Sequence, residues 1–137
     1  MTGSSHLRFA LFPLCQWRSP EEYVDNPLNE KIDVWSLGNN LYSLLTGLYP
    51  FPRAKKSDEV RALLKKGYST FIDPRWHNSS FAEGKLAEVI AQCHVHDPNK
   101  RMDIFTLVQL LREATEVNNA FHLERDDAKW SQARVLS

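Results

Sequence analysis

Charge of one sign is what this chain lacks first: seventeen Lys and Arg offset seventeen Asp and Glu in 137 residues. No global field draws it to nucleic acid or an anionic membrane, so neither is expected as a partner, although a local basic patch stays open. Cysteine is scarce too. Cys15 and Cys93 stand far apart in unrelated contexts. They give neither a disulfide framework nor a zinc-ribbon spacing, which points to a reducing compartment, cytoplasmic or nuclear. No apolar run is long enough for a membrane span. The short apolar patch at residues 9–15 is interrupted by Pro13 and followed by no small-residue cleavage site, so an extended surface segment is expected there rather than a signal peptide. The five glycines form no Gly-x-Gly, and no internal repeat or low-complexity tract is present. At this length, with 42% hydrophobic and 25% charged residues, the chain is one domain able to bury a core without staples.

What is there centres on residues 32–51. Val34, Trp35, Leu37, Leu41, Tyr42, Leu44 and Leu45 point in nearly all directions at helical spacing. A helix apolar all round is expected to be buried on all sides. Asp33 and Ser36 supply start chemistry, and Gly47 before Pro50 supplies the stop, which predicts a helix over 33–46.

The remaining elements follow from caps and breakers. Ser19 before Pro20, with Glu21 and Glu22 in the first turn, starts a helix that Asn26-Pro27 ends within about two turns. Ser57-Asp58-Glu59 opens a helix carrying Val60, Leu63 and Leu64 and ending at Gly67. Residues 68–80 read as an aromatic loop anchored by Pro74 and Trp76. Leu86, Val89, Ile90 and Cys93 recur at i, i+3, i+4 and i+7, an amphipathic helix. Asp103 caps a last helix carrying Ile104, Leu107, Val108 and Leu111. Beyond about Thr115 the period weakens and charge rises; Phe121, Leu123 and Trp130 are candidates to pin that tail. The expected architecture is all-α, with helices around one central buried helix, a 1–16 irregular segment, a 17–114 domain and a 115–137 charged tail.

The order Ser19-Pro20-Glu21, short helix, Asp33-Val34-Trp35-Ser36-Leu37-Gly38, Leu44-Leu45-Thr46-Gly47, Pro50-Phe51 and Asp97-Pro98-x-x-Arg101 resembles the distal half of the C-terminal lobe of eukaryotic protein kinases. Ser19-Pro20-Glu21 stands where that family has Ala-Pro-Glu, and Asp33, Trp35 and Gly38 match its buried central helix. The resemblance implies a buried ion pair between Glu21 and Arg101, a bidentate fork that keeps two distant loops in register. For Asp33 it implies a carboxylate that orients a catalytic loop; the residues alone equally allow a helix cap. For Asn40 it implies an amide in the interior, where the family has an apolar residue; this fits either a degenerate kinase or a tolerated polar contact.

Phosphoryl transfer in this family needs a Gly-rich loop, a strand lysine, a His-Arg-Asp loop and Asp-Phe-Gly. None of these occurs in the 137 residues. No residue is therefore assigned a catalytic, cofactor-binding or metal-ligating role, and ATP and Mg²⁺ are implied only for an intact kinase. Leu14 replaces the threonine that ties the substrate-side loop in Ser/Thr kinases, which leaves substrate class open. Cys93, His94 and His96 lack a fourth ligand for zinc, and Cys93 belongs to the apolar face of its helix. Asn78-Ser79-Ser80 is a glycosylation sequon, relevant only to a secreted chain. Lys55, Lys56, Lys65 and Lys66 make a basic edge. Two expectations result: a partial protein kinase, of Ser/Thr type when intact and inactive as this chain alone, or a non-catalytic helical interaction module. The partner is then another protein or the rest of the kinase, with residues 57–67 as the docking face.

Overall fold

The computed structural model describes residues 16–24 and 26–135, without the side chains of 121 and 125–135. The expectations for residues 1–15, including Leu14 and Cys15, and for the side chains of Phe121 and Trp130, lie outside the described residues. The described chain is helical, with no strand among its residues. A 3-10 turn, Pro20–Tyr23, precedes five helices: α1 Lys31–Thr46, α2 Ser57–Lys65, α3 Trp76–Ser79, α4 Phe81–Cys93 and α5 Ile104–Val135. Instead of the expected helix capped by the Ser19 hydroxyl, a single 3-10 turn forms, closed by Glu22: the Ser19 N–H and hydroxyl both donate to Glu22 Oε2, at 2.6 and 2.8 Å.

α1 begins two residues before its expected start. Asn29 Oδ1 accepts the Lys31 N–H at 2.9 Å, so Asn29 organises the start and Asp33 sits within the first turn. Its end is the anticipated one: Gly47 adopts a left-handed φ of 73° and its N–H caps Ser43 O. Burial corrects a second expectation. Val34, Trp35, Gly38, Asn39, Leu41 and Tyr42 are buried, but Asp33, Asn40 and Leu44 are exposed, Leu44 by 79%. Those three recur at i, i+7 and i+11, one stripe of the helix that no described element covers. The buried amide is accordingly Asn39, one residue and about 100° of helical rotation from Asn40.

Two hydrophobic clusters share α1. Val34, Leu41 and Tyr42 pack with Val89, Ile90 and Cys93 of α4 and Leu107 of α5; Trp35 packs with Phe51, Val60 and Leu64. Phe51 holds a strained φ of 53°, fixed by its own N–H donating to Thr70 Oγ1 at 2.9 Å. The 68–80 loop is anchored there and by Ile72 against the first cluster, whereas Pro74 is exposed and Trp76 only half-buried. α3 is a single turn on α4. α4 takes the Ser80 hydroxyl as N-cap, accepting from Glu83 N–H at 3.2 Å.

α5 is longer than its hydrophobic period predicts. Its inward face is Ile104, Leu107, Leu110 and Leu111, with Val108 turned outward. The helix then continues across the charged stretch to Val135. That stretch contains no Gly or Pro, the two residues that most strongly break a helix.

Candidate functional site

The best-built polar site joins the turn at Ser19–Glu21 to the link between α4 and α5. Arg101, fully buried, projects from that link. Its Nη1 donates to Glu21 Oε1 at 2.7 Å and to Lys31 O at 2.7 Å. Its Nη2 donates to Glu21 Oε2 at 2.9 Å and to His96 O at 3.2 Å, and Nε donates to Val95 O at 2.8 Å. All five guanidinium donors are used, and the fork on Glu21 is bidentate. Lys31 Nζ returns a hydrogen bond to Arg101 O. The structure thus brings together Glu21 and Arg101, 80 residues apart in sequence, and clamps the start of α1 between them. Burial alone would raise the Glu21 pKa, but the hydrogen bonds from Arg101 and its charge outweigh it and hold the carboxyl below its ordinary value.

Trp35 forms the wall of this site. Its ring faces the Arg101 guanidinium at 5.1 Å, His94 at 4.7 Å and, edge-on, His96 at 5.3 Å. His96 is held by its Nε2 contact with Tyr68 O at 3.0 Å. Gly38 is required by proximity: a Cβ there would lie 2.5 Å from Cys93 Cβ and 2.9 Å from His94 Nε2. Ser36 Oγ and Asn39 Nδ2 both donate to Trp17 O at 3.2 Å, which ties α1 to the segment before the turn. Ser19 is fully buried and Pro20 half-buried at the first position of the turn. Asp33, by contrast, lies on the exposed stripe of α1 and outside this cluster.

His94 was not singled out from the sequence as a buried group. It is 5% exposed, and both ring nitrogens lack a hydrogen-bond partner. Burial first, then the charges of Arg101 and His96, pushes its pKa down to about 3. Neighbouring Cys93 is a buried free thiol, pushed up to about 12 by burial. Among the described residues no three His, Cys, Asp or Glu side chains are placed to hold a metal, and no helix is long and apolar enough to cross a membrane.

His94 carries a pH prediction. In the folded chain the ring stays neutral, while an unfolded chain takes up its proton below about pH 6.5. Stability present above pH 6.5 is therefore lost as pH falls from 6.5 toward 3, by at most about 1.4 kcal/mol per pH unit. Glu21 adds to the acid loss only below its ordinary value of 4.5. His94→Leu should raise the urea midpoint at pH 7 and flatten the slope between pH 6.5 and 5. An unchanged slope would assign the acid sensitivity to other groups.

A buried arginine that clamps a Ser-Pro-Glu turn to the start of the central helix is the arrangement that the resemblance to the large lobe of protein kinases implies. The protein kinase domain family matches residues 13–112, and the chain belongs to that family. It is 31% identical over 87 residues to a calcium/calmodulin-dependent protein kinase type I of Schizosaccharomyces pombe, an overlap of 64% of this chain and 25% of that protein. It is 33% identical over 99 residues to the serine/threonine-protein kinase ENV7 of Saccharomyces cerevisiae, covering 69% of this chain and 26% of the relative. The twitchin kinase region of C. elegans shares the fold, with a TM-score of 0.61 over 83% of this chain and 22% of that structure, at 22% identity. The chain spans about a quarter of the length of these curated relatives.

Proposed function

We propose that these residues are the distal, substrate-side part of the large lobe of a serine/threonine protein kinase, and that the 137 residues do not transfer phosphate by themselves. The observation that carries the reading is the Arg101 fork on Glu21, which fixes the back of the Ser-Pro-Glu turn. In the family the chain just before this turn faces the peptide substrate. A rigid rear anchor would let that segment hold its shape while a peptide binds and leaves. Relatives whose printed names include serine/threonine-protein kinase support the acceptor class. ATP and Mg²⁺ would serve the intact protein through motifs that these residues do not contain. Cys93, buried and reduced, fits an intracellular setting.

The isolated chain should show no thermal shift with Mg-ATP and no phosphate transfer to a basic Ser/Thr peptide. Either signal above a mock preparation would overturn the inactivity. A longer in-frame coding sequence carrying the Gly-rich loop, strand lysine, His-Arg-Asp and Asp-Phe-Gly would establish the intact kinase.

The interaction-module reading draws on a different observation. Tyr68 and Phe71 are 60% and 74% exposed just beyond α2, near exposed Lys65 and Lys66. An open reading frame that starts at Met1 would favour that module, and Phe71→Ser should then abolish partner capture.

A further inference from the structure

The outward face of α5 has no partner among the described elements, and its residues are ordered in an unusual way. Phe105, Val108, Arg112, Glu116, Ala120 and Leu123 lie on one side of the helix at helical spacing, and all six are exposed, Phe105 by 83% and Leu123 by 66%; exposed Gln109 and Asn119 share that side, nearer its midline than Val108 and Ala120. The first four line a shallow concavity of about 630 Å³. Arg112 and Glu116 are one turn apart, yet neither forms an ion pair with the other or with any described residue.

The six residues are symmetric about position 114. When a second α5 runs antiparallel across the first, with the two-fold axis at that position, Phe105 lies opposite Leu123 of the second copy. Arg112 then lies opposite its Glu116, while Val108 and Ala120, about 60° to either side of the midline, flank the seam on opposite edges. The symmetry repeats each contact, so both Phe105–Leu123 pairs are apolar and both charge pairs are of opposite sign. A parallel pairing would instead put Arg112 against Arg112 and Glu116 against Glu116.

We infer that α5 is a self-association surface, on which a second copy of this chain docks antiparallel through Phe105, Arg112, Glu116 and Leu123. The matched stretch is about 27 Å long. A single helix pair is a small contact, so the dimer is weak and concentration-dependent. The surface lies on the opposite side of α5 from the core residue Leu107, so the inference stands whether or not the intact protein is a kinase.

Charge exchange tests it. Sedimentation equilibrium of the full 137-residue chain should show a monomer–dimer equilibrium. Arg112→Glu alone places like charges opposite each other, as does Glu116→Arg alone, and each variant should remain monomeric at concentrations where the parent dimerises. An equal mixture of the two restores both opposite-sign pairs and should form a 1:1 heterodimer. Far-UV circular dichroism checks that each variant keeps its helix content. Should either variant misfold, Phe105→Ser provides the second probe, with at least a tenfold weaker association expected. A parent chain monomeric at about 1 mM would overturn the inference. So would single variants that associate like the parent, or two folded variants that do not combine. Association through other exposed apolar residues such as Leu44 or Phe71 would ignore the charge exchange, and that outcome also refutes it.

Discussion

Arg101→Ala should be the most damaging single substitution, lowering stability in urea denaturation by about 3–5 kcal/mol, a large part of what a domain of this size has. Glu21 would be left as a buried carboxylate without its partner. The carbonyls of Lys31, Val95 and His96 would lose their donor in the same step. Arg101→Lys should recover little, because one ammonium cannot supply a planar fork to Glu21 and three further carbonyls. Glu21→Gln keeps the shape but turns an NH₂ toward the guanidinium, so it should also destabilise. The surface pair of Asp73 and Arg75 is the internal control. It is as short, at 2.7 Å, but Arg75 is 91% exposed. Solvent screens that pair, and Arg75→Ala should leave the urea midpoint unchanged within error. A loss below about 1 kcal/mol for Arg101→Ala would mean that water or neighbouring groups replace the fork.

Trp35→Ala ranks second, at about 3–5 kcal/mol. The ring is 1% exposed and is packed both by Phe51, Val60 and Leu64 and by the polar group of Arg101, His94 and His96. Its removal opens a cavity and takes away the surface on which the guanidinium lies. The two sites should therefore couple: Trp35→Ala should cost less in an Arg101→Ala background than in the parent chain. Additive losses in that cycle would show that Trp35 acts only as apolar filling. Trp35→Phe should be milder, because an aromatic face is kept.

The Arg101 pairing was legible because it depends on residue identity at two motif positions, and neither motif needs an accurate helix phase. Helix facing was less legible. A one-residue error in phase rotates a side chain by about 100°, which is enough to exchange buried Asn39 for exposed Asn40. The same uncertainty put Val108 on the core face of α5 and hid the surface proposed above. The all-round burial expected for α1 failed along Asp33, Asn40 and Leu44, because apolar composition records what a helix can bury and not which neighbours it meets. His94 followed directly on the period Leu86, Val89, Ile90 and Cys93, and that adjacency was the available signal for its burial. Read as a candidate ligand, it passed as polar. Beyond Thr115 the loss of period suggested no structure, whereas the helix continues through a stretch without Gly or Pro to break it.

The fork between Glu21 and Arg101 also has a consequence in time. Its partners are 80 residues apart, so among the hydrogen bonds of the described residues it closes the longest loop. Loop-closure entropy delays such a contact until α1, α4 and the start of α5 have assembled. Substitutions at Arg101 should then appear mainly on the unfolding limb of a chevron plot, with the refolding limb almost unmoved. The clamp would govern how long the folded lobe lasts more than how quickly it forms.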